Sequence, residues 1–268
     1  MTAPQHPAYG VLRPVTPAAG VVLAENPSPM TLDGTNSWVL RAPGHRSCVV
    51  VDPGPDDAAH LDRLRDHGPV ELILLTHRHA DHAEGARAFA DRTGAPVRAL
   101  DPELVLGAEG LSVGETVGAG GLDLRVVATP GHTDDSLSFV VDGDGSVLTG
   151  DTVLGRGTTV VSDLGDYLVS LRRLAELPGS TTLLPGHGPD LADAAETAQA
   201  YLAHREERLT QVRAALDELG VRASGPAGRE PSPREVVEIV YADVDPSLWP
   251  AADQSVAAQL AYLRERGR

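Results

Sequence analysis

The sequence predicts an α/β protein in which two mixed sheets pack against each other and helices cover their outer faces. Short runs rich in valine and leucine alternate with segments of helical periodicity, which is the pattern of an α/β class. The tetrapeptide Asp-Gly-Asp-Gly at 142–145 separates two apolar runs and predicts a β-hairpin, which argues against a purely parallel sheet. In four places an apolar run leads into a turn that carries a histidine or an aspartate.

The elements follow in order along the chain. Residues 1–20 are rich in proline and alanine and are expected to begin as a loose arm. Predicted strands occupy 21–24, 38–40, 48–51, 71–75, the vicinity of Val97, 124–128, 138–141, 146–149 and 181–184. Predicted helices occupy 56–67, 82–92, 165–176 and 190–219, the last closed by Gly220 as a C-cap.

A small C-terminal unit follows a predicted linker at 223–231. The motif Ser-Pro-Arg-Glu at 232–235 is a capping box with proline at the first helical position, and it opens a short helix. A second helix is predicted over 250–265. We therefore predict two domains, 1–220 and 221–268, of which the second is either a helical cap or part of a winged helix.

Composition narrows the class of function. The chain has 268 residues and a formal net charge of -16, which repels polyphosphates and disfavours a broad nucleic-acid footprint. Cys48 is the only cysteine, so an internal disulfide is excluded. Residues 1–20 lack the pattern of a signal peptide, and no apolar run approaches the length of a membrane span. We expect a cytoplasmic protein with no membrane partner.

A cluster of histidines directly follows one buried apolar run. His77 and His79 are two residues apart and can converge on one ion, while Asp81 and His82 point elsewhere and can hold a second. Imidazole and carboxylate ligands suit zinc, iron or manganese better than magnesium or calcium. A structural alternative is that Asp81 caps the helix predicted over 82–92, with Glu84 completing a capping box.

Three further strand ends carry residues of the same chemistry. His132, Asp151 and His187 each follow an apolar run and a turn with glycine, so they are expected near the histidine cluster at one edge of the sheets. Asp52 also ends a predicted strand. It either stabilises its own turn or accepts a hydrogen bond that orients a ligand histidine, and the sequence leaves both interpretations open.

This ordered set of motifs resembles the metallo-β-lactamase fold superfamily, whose fold is an αββα sandwich with metals at one edge. The resemblance implies that His77, His79 and His132 hold one metal. It implies that a second metal is held by Asp81, His82 and His187, with Asp151 as the bridge between the two. The iron redox branch of the superfamily usually has a glutamate at the position of His79, so its histidine favours hydrolysis.

A closer resemblance is to the lactamase-beta-like group, which includes endoribonucleases specific for single strands and thioesterases that release polyketides. Its motifs lie at 26–38, 150–160, 166–171 and 201–205, and the resemblance covers about residues 20–265. In that group a winged-helix-like segment follows the catalytic domain. Because the chain stops at Arg268, a wing strand pair is expected to be short or missing.

These observations predict a metal-dependent hydrolase, with two Zn²⁺ as the cofactor and manganese or iron as alternatives. A metal-bound hydroxide would attack a small or carrier-linked ester or thioester, and Asp81 and Asp151 would contact that water and pass protons. The alternative function is an endoribonuclease acting on single-stranded RNA. A β-lactamase, an iron-dependent persulfide dioxygenase and a metal-stabilised scaffold without turnover are further alternatives.

Three residues outside the metal set are expected to line the substrate side, namely Asn36, Thr158 and Tyr167. His204, which lies on the long predicted helix with Arg205 and Arg208, is interpreted as a surface residue.

Overall fold

A computed structural model describes residues 9–179, 182–221 and 231–266. The first of two six-stranded sheets has its strands in chain order. They are β1 Arg13–Pro14, β2 Ala19–Leu23, β3 Asn36–Leu40, β4 Cys48–Val51, β5 Val70–Leu74 and β6 Val97–Arg98. Strands β1 to β4 pair antiparallel and β4 to β6 pair parallel, so this sheet is mixed.

The second sheet is also mixed and in chain order. Its strands are β7 Thr116–Ala119, β8 Leu122–Ala128, β9 Leu137–Val141, β10 Ser146–Gly150, β11 Thr182–Pro185 and β12 Leu191–Ala192. All pairs are antiparallel except β10 with β11. The predicted hairpin forms between β9 and β10, where Val141 pairs with Ser146. The predicted strand at 181–184 begins one residue before the described part, since Thr181 lies outside it.

Helices cover both outer faces of the two sheets. They are α1 Ala58–Arg65, α2 Ala80–Ala83, α3 Ala86–Thr93, α4 Leu164–Ala175, α5 Ala194–Glu218, α6 Pro233–Val240 and α7 Trp249–Glu265. None of the helices in the described ranges is long and apolar enough to cross a membrane.

Alternation along the strands separates the core into layers. Trp38, Leu74 and Phe139 belong to the apolar cluster between the sheets, because successive strand side chains point to opposite faces. Ile73 belongs instead to an outer cluster with α1 and α3. The outer face of the second sheet packs on α4 to α7. The order of layers is therefore helix, sheet, sheet, helix, as predicted.

The C-terminal helices α6 and α7 share a core with helices of the preceding part of the chain. Val236 of α6 and Val256 of α7 are fully buried in the cluster that includes Leu171 of α4 and Val212 of α5. The capping box at Ser232 forms as predicted. The linker predicted at 223–231 falls almost wholly on residues 222–230, outside the described residues, so the boundary between 220 and 221 remains a prediction.

The helix predicted over 82–92 is wrong as a single element. The chain forms α2 and α3, which are separated at Gly85, where an added Cβ would lie 2.7 Å from the carbonyl oxygen of Pro55. His79, and not Asp81, occupies the N-cap position of α2, and the expected capping box does not form. The physical reason is that the Asp81 carboxylate turns to His187, with Oδ2 3.0 Å from Nε2.

Candidate active site

The predicted site residues meet at one end of the sandwich, in loops that follow β5, β8, β10 and β11. Backbone hydrogen bonds join these loops: the N–H of Leu137 donates to Thr76 O and that of Gly186 donates to Gly150 O, both at 2.8 Å. Strands of both sheets therefore contribute to the same site. All seven candidate ligands lie together, and they form three overlapping groups of ligand atoms within 4.8 Å of one another.

The first group consists of three imidazoles. Nδ1 of His79 lies 3.1 Å from Nε2 of His77 and 2.9 Å from Nε2 of His132. His77 and His132 are buried, whereas His79 is exposed and faces them from the rim.

Hydrogen bonds on the far side of each ring fix which nitrogen carries the proton. Nδ1 of His132 lies 2.8 Å from the carbonyl oxygen of Val160, and it must donate because a carbonyl can only accept. The hydroxyl of Thr76 donates to Asp52 Oδ2, so it accepts from Nδ1 of His77 at 3.0 Å. The Nε2 lone pairs of His77 and His132 therefore both point at His79, which is the arrangement expected around a cation.

The second group combines two imidazoles and a carboxylate. Nε2 of His82 lies 3.2 Å from Nε2 of His187, and Asp81 Oδ2 lies 3.5 Å and 3.0 Å from these two atoms. Their other nitrogens donate to acceptors: His82 Nδ1 to Asp52 Oδ2 at 2.9 Å and His187 Nδ1 to Gly34 O at 3.0 Å. In the neutral rings both Nε2 lone pairs face each other, so these two rings also suit a shared cation.

Asp151 lies between the two groups. Its Oδ2 is 3.3 Å from His187 Nε2 and 3.8 Å from His132 Nε2, and its Oδ1 is 3.4 Å from His82 Nε2. Among the described residues, Oδ1 is a buried atom without a hydrogen-bond partner. A buried carboxylate oxygen left in this way fits a donor set that a positive ion completes.

The pKa values of the histidines differ between the two groups of the site. Burial, reinforced by the neighbouring His82, lowers the pKa of His77 well below 6.5, and burial lowers that of His79 to about 4. In the group of Asp81, His82 and His187, burial also lowers the pKa of the histidines, but the negative charge of Asp151 outweighs it. The Asp151 carboxylate raises the pKa of His82 well above 6.5 and that of His187 to about 9. Protons therefore compete with cations mainly in this second group.

Asp52 contacts the site and not its own turn. Its carboxylate accepts hydrogen bonds from the backbone and the hydroxyl of Thr76 at 2.8 Å and 2.7 Å, besides that from His82. The residue is 1% exposed and has a left-handed backbone with φ of 53°. The geometry therefore agrees with the interpretation that Asp52 orients a histidine.

A cavity of about 340 Å³ opens beside His132 and Asp151. Its wall is largely apolar. It includes Leu154 from the loop after β10, Val244 and Leu248 from the segment between α6 and α7, and Ala251 and Ala252 of α7. A second space of about 320 Å³ lies over the ligand cluster and shares Met30, His132, Asp151 and Val160 with the first.

Of the three residues predicted to line the substrate side, Thr158 lies in the wall of the larger of these two spaces, and its role there stays a prediction. The other two line neither space. Asn36 is buried, and its amide donates to the carbonyls of Pro185 and Gly188, so it holds the turn that carries His187. Tyr167 is fully buried, with its hydroxyl donating to Thr152 O at 2.7 Å, because α4 presents that face to the core.

Sequence reasoning missed the arginines of this cavity. Arg156, Arg205 and Arg208 all line it. His204, interpreted as a surface residue, is half-buried, and the neighbouring Arg205 is 2% exposed. The spacing of Arg205 and Arg208, three residues apart on one helix, was the available signal, since such residues share a helical face.

A sandwich of two mixed sheets between helices, with histidines and aspartates meeting at one end, defines a metallo-hydrolase of the αββα class. Residues 30–187 match the Metallo-beta-lactamase superfamily, and residues 232–268 match the Beta-lactamase associated winged helix domain. The chain belongs to the metallo-β-lactamase superfamily and is one of its hydrolases. Of the two interpretations of the C-terminal segment, the winged helix is confirmed.

Individual proteins extend this match over most of the chain. A Beta-lactamase-like protein 2 homolog from Drosophila melanogaster is 30% identical, covering 92% of this chain and 88% of its own length. An Atrochrysone carboxyl ACP thioesterase from Aspergillus fumigatus is also 30% identical, covering 85% and 74%. A Beta-lactamase domain protein from Burkholderia ambifaria has the same fold, with a TM-score of 0.78 at 24% identity over 99% of this chain and 91% of that one.

Proposed function

We propose that this protein is a dizinc thioesterase acting on a small or carrier-linked acyl substrate. One Zn²⁺ would be held by His77, His79 and His132. The other would be held by a set of three, Asp81, His82 and His187, with Asp151 shared between the two ions. Mn²⁺ or Fe²⁺ would bind the same ligands less tightly than Zn²⁺, because manganese and iron stand at the weak end of the affinity series for nitrogen and oxygen ligands.

The ligand chemistry supports this loading. In the neutral rings the inward-facing Nε2 atoms carry lone pairs, while Nδ1 donates to Val160, Gly34, Asp52 or Thr76. In the metal-free protein protons occupy part of this set, because the pKa values of His82 and His187 are raised, and a zinc ion would displace those protons. Zinc bound there would polarise the substrate carbonyl and bring the pKa of a coordinated water close to neutrality.

The aspartates supply the proton transfers. Asp81 is partly exposed and borders the space over the cluster, so its carboxylate can reach both a water and a departing group. Although burial acts in the opposite direction, His187 and His82 lower the pKa of Asp81 below 3.8. Asp81 is therefore ionised at neutral pH and able to accept a proton from water and to release it to the leaving thiolate.

The observation that carries the choice of substrate is the apolar cavity beside His132 and Asp151. Its walls include Leu154, Leu248 and Ala252, which suit an acyl chain better than a nucleotide. Among the described residues that line this cavity, Tyr241 is the one tyrosine, tryptophan or phenylalanine, so its lining forms no track of several rings for stacking bases. The relative from Aspergillus fumigatus is named as a thioesterase acting on an acyl carrier protein.

An endoribonuclease is the second candidate, because three arginines in the same cavity offer contacts for phosphates. The net charge of -16 opposes this function at long range. A β-lactamase and an iron-dependent persulfide dioxygenase are weaker candidates. We also propose a cytoplasmic location, which cell fractionation would test.

The test compares substrates and metals on one preparation. We expect about two zinc ions per chain and hydrolysis of acyl-pantetheine thioesters, with no cleavage of labelled single-stranded RNA. The variant Asp81→Asn should lower kcat/KM by at least about 100-fold, the scale seen when a general acid–base group is removed. The matched control is Asp91→Asn, which removes an exposed carboxylate on α3.

Two outcomes would overturn the assignment. RNA cleavage that is lost in Asp81→Asn, without thioester turnover, would establish the nuclease. One iron per chain, together with oxygen consumption on a persulfide, would establish the dioxygenase.

A further inference from the structure

Arg205 is a buried cation without a counter-ion among the described residues. Its side chain lies in the wall of the apolar cavity, and the residue is 2% exposed. The guanidinium stacks over the ring of Tyr167, 5.1 Å from its centroid, and Nη2 donates to Thr159 O at 2.8 Å. Its Nε is buried and has no hydrogen-bond partner in the described ranges. No carboxylate of those ranges forms an ion pair with it.

Arg208 lies on the same face of α5 and lines the same cavity. Its guanidinium stacks on Tyr241, 4.6 Å from the ring centroid, and donates to the side chain of Gln211 at 2.8 Å. It too has no ion-pair partner within the described part of the chain. The third cavity arginine differs, because Arg156 pairs with Asp33 at 2.7 Å.

Burial together with the lack of an ion pair distinguishes Arg205. Several arginines pair with carboxylates, as Arg98 does with Glu115 at 2.9 Å and Arg234 with Asp253. Others without an ion pair in the described ranges, such as Arg46 and Arg172, are exposed to water. Desolvating a guanidinium without a compensating anion is costly, and aromatic stacking recovers only part of that cost. Two such cations in one cavity wall therefore create a strong local preference for negative charge inside the cavity.

We propose that Arg205 and Arg208 bind an anionic group of the substrate, so that the enzyme selects anionic thioesters. This inference rests on the proposed thioesterase function and adds its substrate class. Both arginines border the cavity that contains His132 and Asp151, so one bound molecule can place its thioester at the cluster and its anion at α5. The anion is either a carboxylate on the acyl group or the phosphate of a phosphopantetheine arm, since guanidinium recognises both.

Arg208 is the better residue to change. Arg205 also supports Thr159, whose hydroxyl lies 3.0 Å from Nδ1 of His132, so its removal would disturb a candidate metal ligand. Arg208 contacts Gln211 and Tyr241 and makes no contact with the ligand cluster.

The test uses four thioesters on the zinc-loaded enzyme: pentanoyl or glutaryl groups, each carried on pantetheine or on 4′-phosphopantetheine. The glutaryl pair adds a carboxylate to the acyl chain, and the phosphopantetheine pair adds a phosphate to the carrier arm. We expect wild-type kcat/KM to be about 10- to 100-fold higher for at least one anionic series than for its neutral partner, the range of a charge-assisted contact.

In Arg208→Gln the ratio of anionic to neutral substrate should fall by about 10-fold or more, and Arg208→Lys should retain part of it. The control Arg172→Gln removes an exposed arginine of α4 with the same change of charge, and it should keep the wild-type ratio. A preference restricted to the glutaryl series identifies the acyl carboxylate, and one restricted to phosphopantetheine identifies the carrier phosphate. Wild-type enzyme without either preference, or a ratio unchanged in Arg208→Gln, overturns the proposal.

A binding measurement separates this inference from the proposed function. Calorimetric titration of glutarate against pentanoate, and of 4′-phosphopantetheine against pantetheine, needs no turnover. If no thioester is hydrolysed but one anion binds in a manner that depends on Arg208, the thioesterase function fails and the anion site stands. If single-stranded RNA binds through Arg208 while neither small anion does, the arginines serve a phosphodiester backbone and the proposal is overturned.

Discussion

Asp52 and His82 form a buried contact in which Oδ2 of Asp52 lies 2.9 Å from Nδ1 of His82. The contact holds the His82 ring so that its Nε2 faces His187 and Asp151. Both residues are almost inaccessible, at 1% and 0% exposure, so water cannot replace either partner. The position of a candidate metal ligand thus depends on a carboxylate that touches no other ligand of the cluster.

We expect Asp52→Asn to lower zinc affinity by about 10- to 100-fold, the usual cost of losing a group that orients a ligand histidine. The amide presents an N–H to His82 and favours the tautomer with its proton on Nε2. Asparagine tolerates the left-handed backbone at this position, so the fold should survive. Competition with a zinc-binding dye would measure the affinity, and circular dichroism would check the fold. Wild-type affinity in the variant would contradict the orienting role.

A second prediction concerns the close approach of Gly186 to the site. A Cβ at this position would lie 2.3 Å from Asp151 Oδ1 and 2.6 Å from Cε1 of His82. Gly186→Ala should therefore displace the Asp151 carboxylate, the proposed bridge, and remove at least one zinc ion per chain. Metal analysis after gel filtration would measure the loss. In the control Gly118→Ala, the nearest contact is an ordinary 3.8 Å, and zinc content should be unchanged.

Zinc binding should release protons at pH 7.5. The Asp151 carboxylate, acting against burial, raises the pKa of His187 to about 9, so this ring is protonated in the metal-free protein and must lose its proton to bind. Calorimetry in buffers of different ionisation enthalpy would count the protons. The count should fall as the pH is raised through about 9, because the ring is then already neutral. A count that is independent of pH would contradict this account of the group that contains His187.

Stability in acid should depend on His60, which lies away from the cluster. Burial lowers its pKa from 6.5 to about 4, and its Nε2 lies 2.9 Å from the hydroxyl of Ser37. The unfolded chain takes up a proton near pH 6.5 and the folded chain only near 4. The free energy of unfolding that the neutral His60 ring contributes is therefore fully present above pH 6.5. It is lost as the pH falls toward 4, by up to about 3 kcal/mol.

Thermal unfolding of wild type and His60→Gln between pH 7 and pH 4.5 would measure this effect. The neutral amide keeps a hydrogen-bonding group near Ser37 but does not titrate, so Tm of the variant should decline less steeply. Parallel declines in the two proteins would show that other groups control the acid response.

Local sequence signals predicted the strand ends well. An apolar strand followed by a turn with glycine places the next polar side chain at a sheet edge. This pattern predicted that the seven candidate ligands lie close together, as they do in the structure. The hairpin between β9 and β10 and the capping box at Ser232 also formed as expected, since each depends on a few adjacent residues. The local signal was ambiguous at Asp81, because its carboxylate could cap a helix or contact a residue far along the chain. In the structure it contacts His187, which the local sequence does not reveal.

The order of amino acids was therefore enough to predict the layered fold, the superfamily and the residues that meet at the sheet edge. The surroundings of each polar group depend on the folded structure. Folding buried Tyr167 against the core and directed the Asn36 amide to the turn around His187. It placed Arg205 in a cavity wall with no counter-ion among the described residues. The physical reason is that burial, hydrogen-bond partners and net local charge arise from segments far apart in the chain. The presence of a ligand residue is a local property, whereas its protonation and its partner are not.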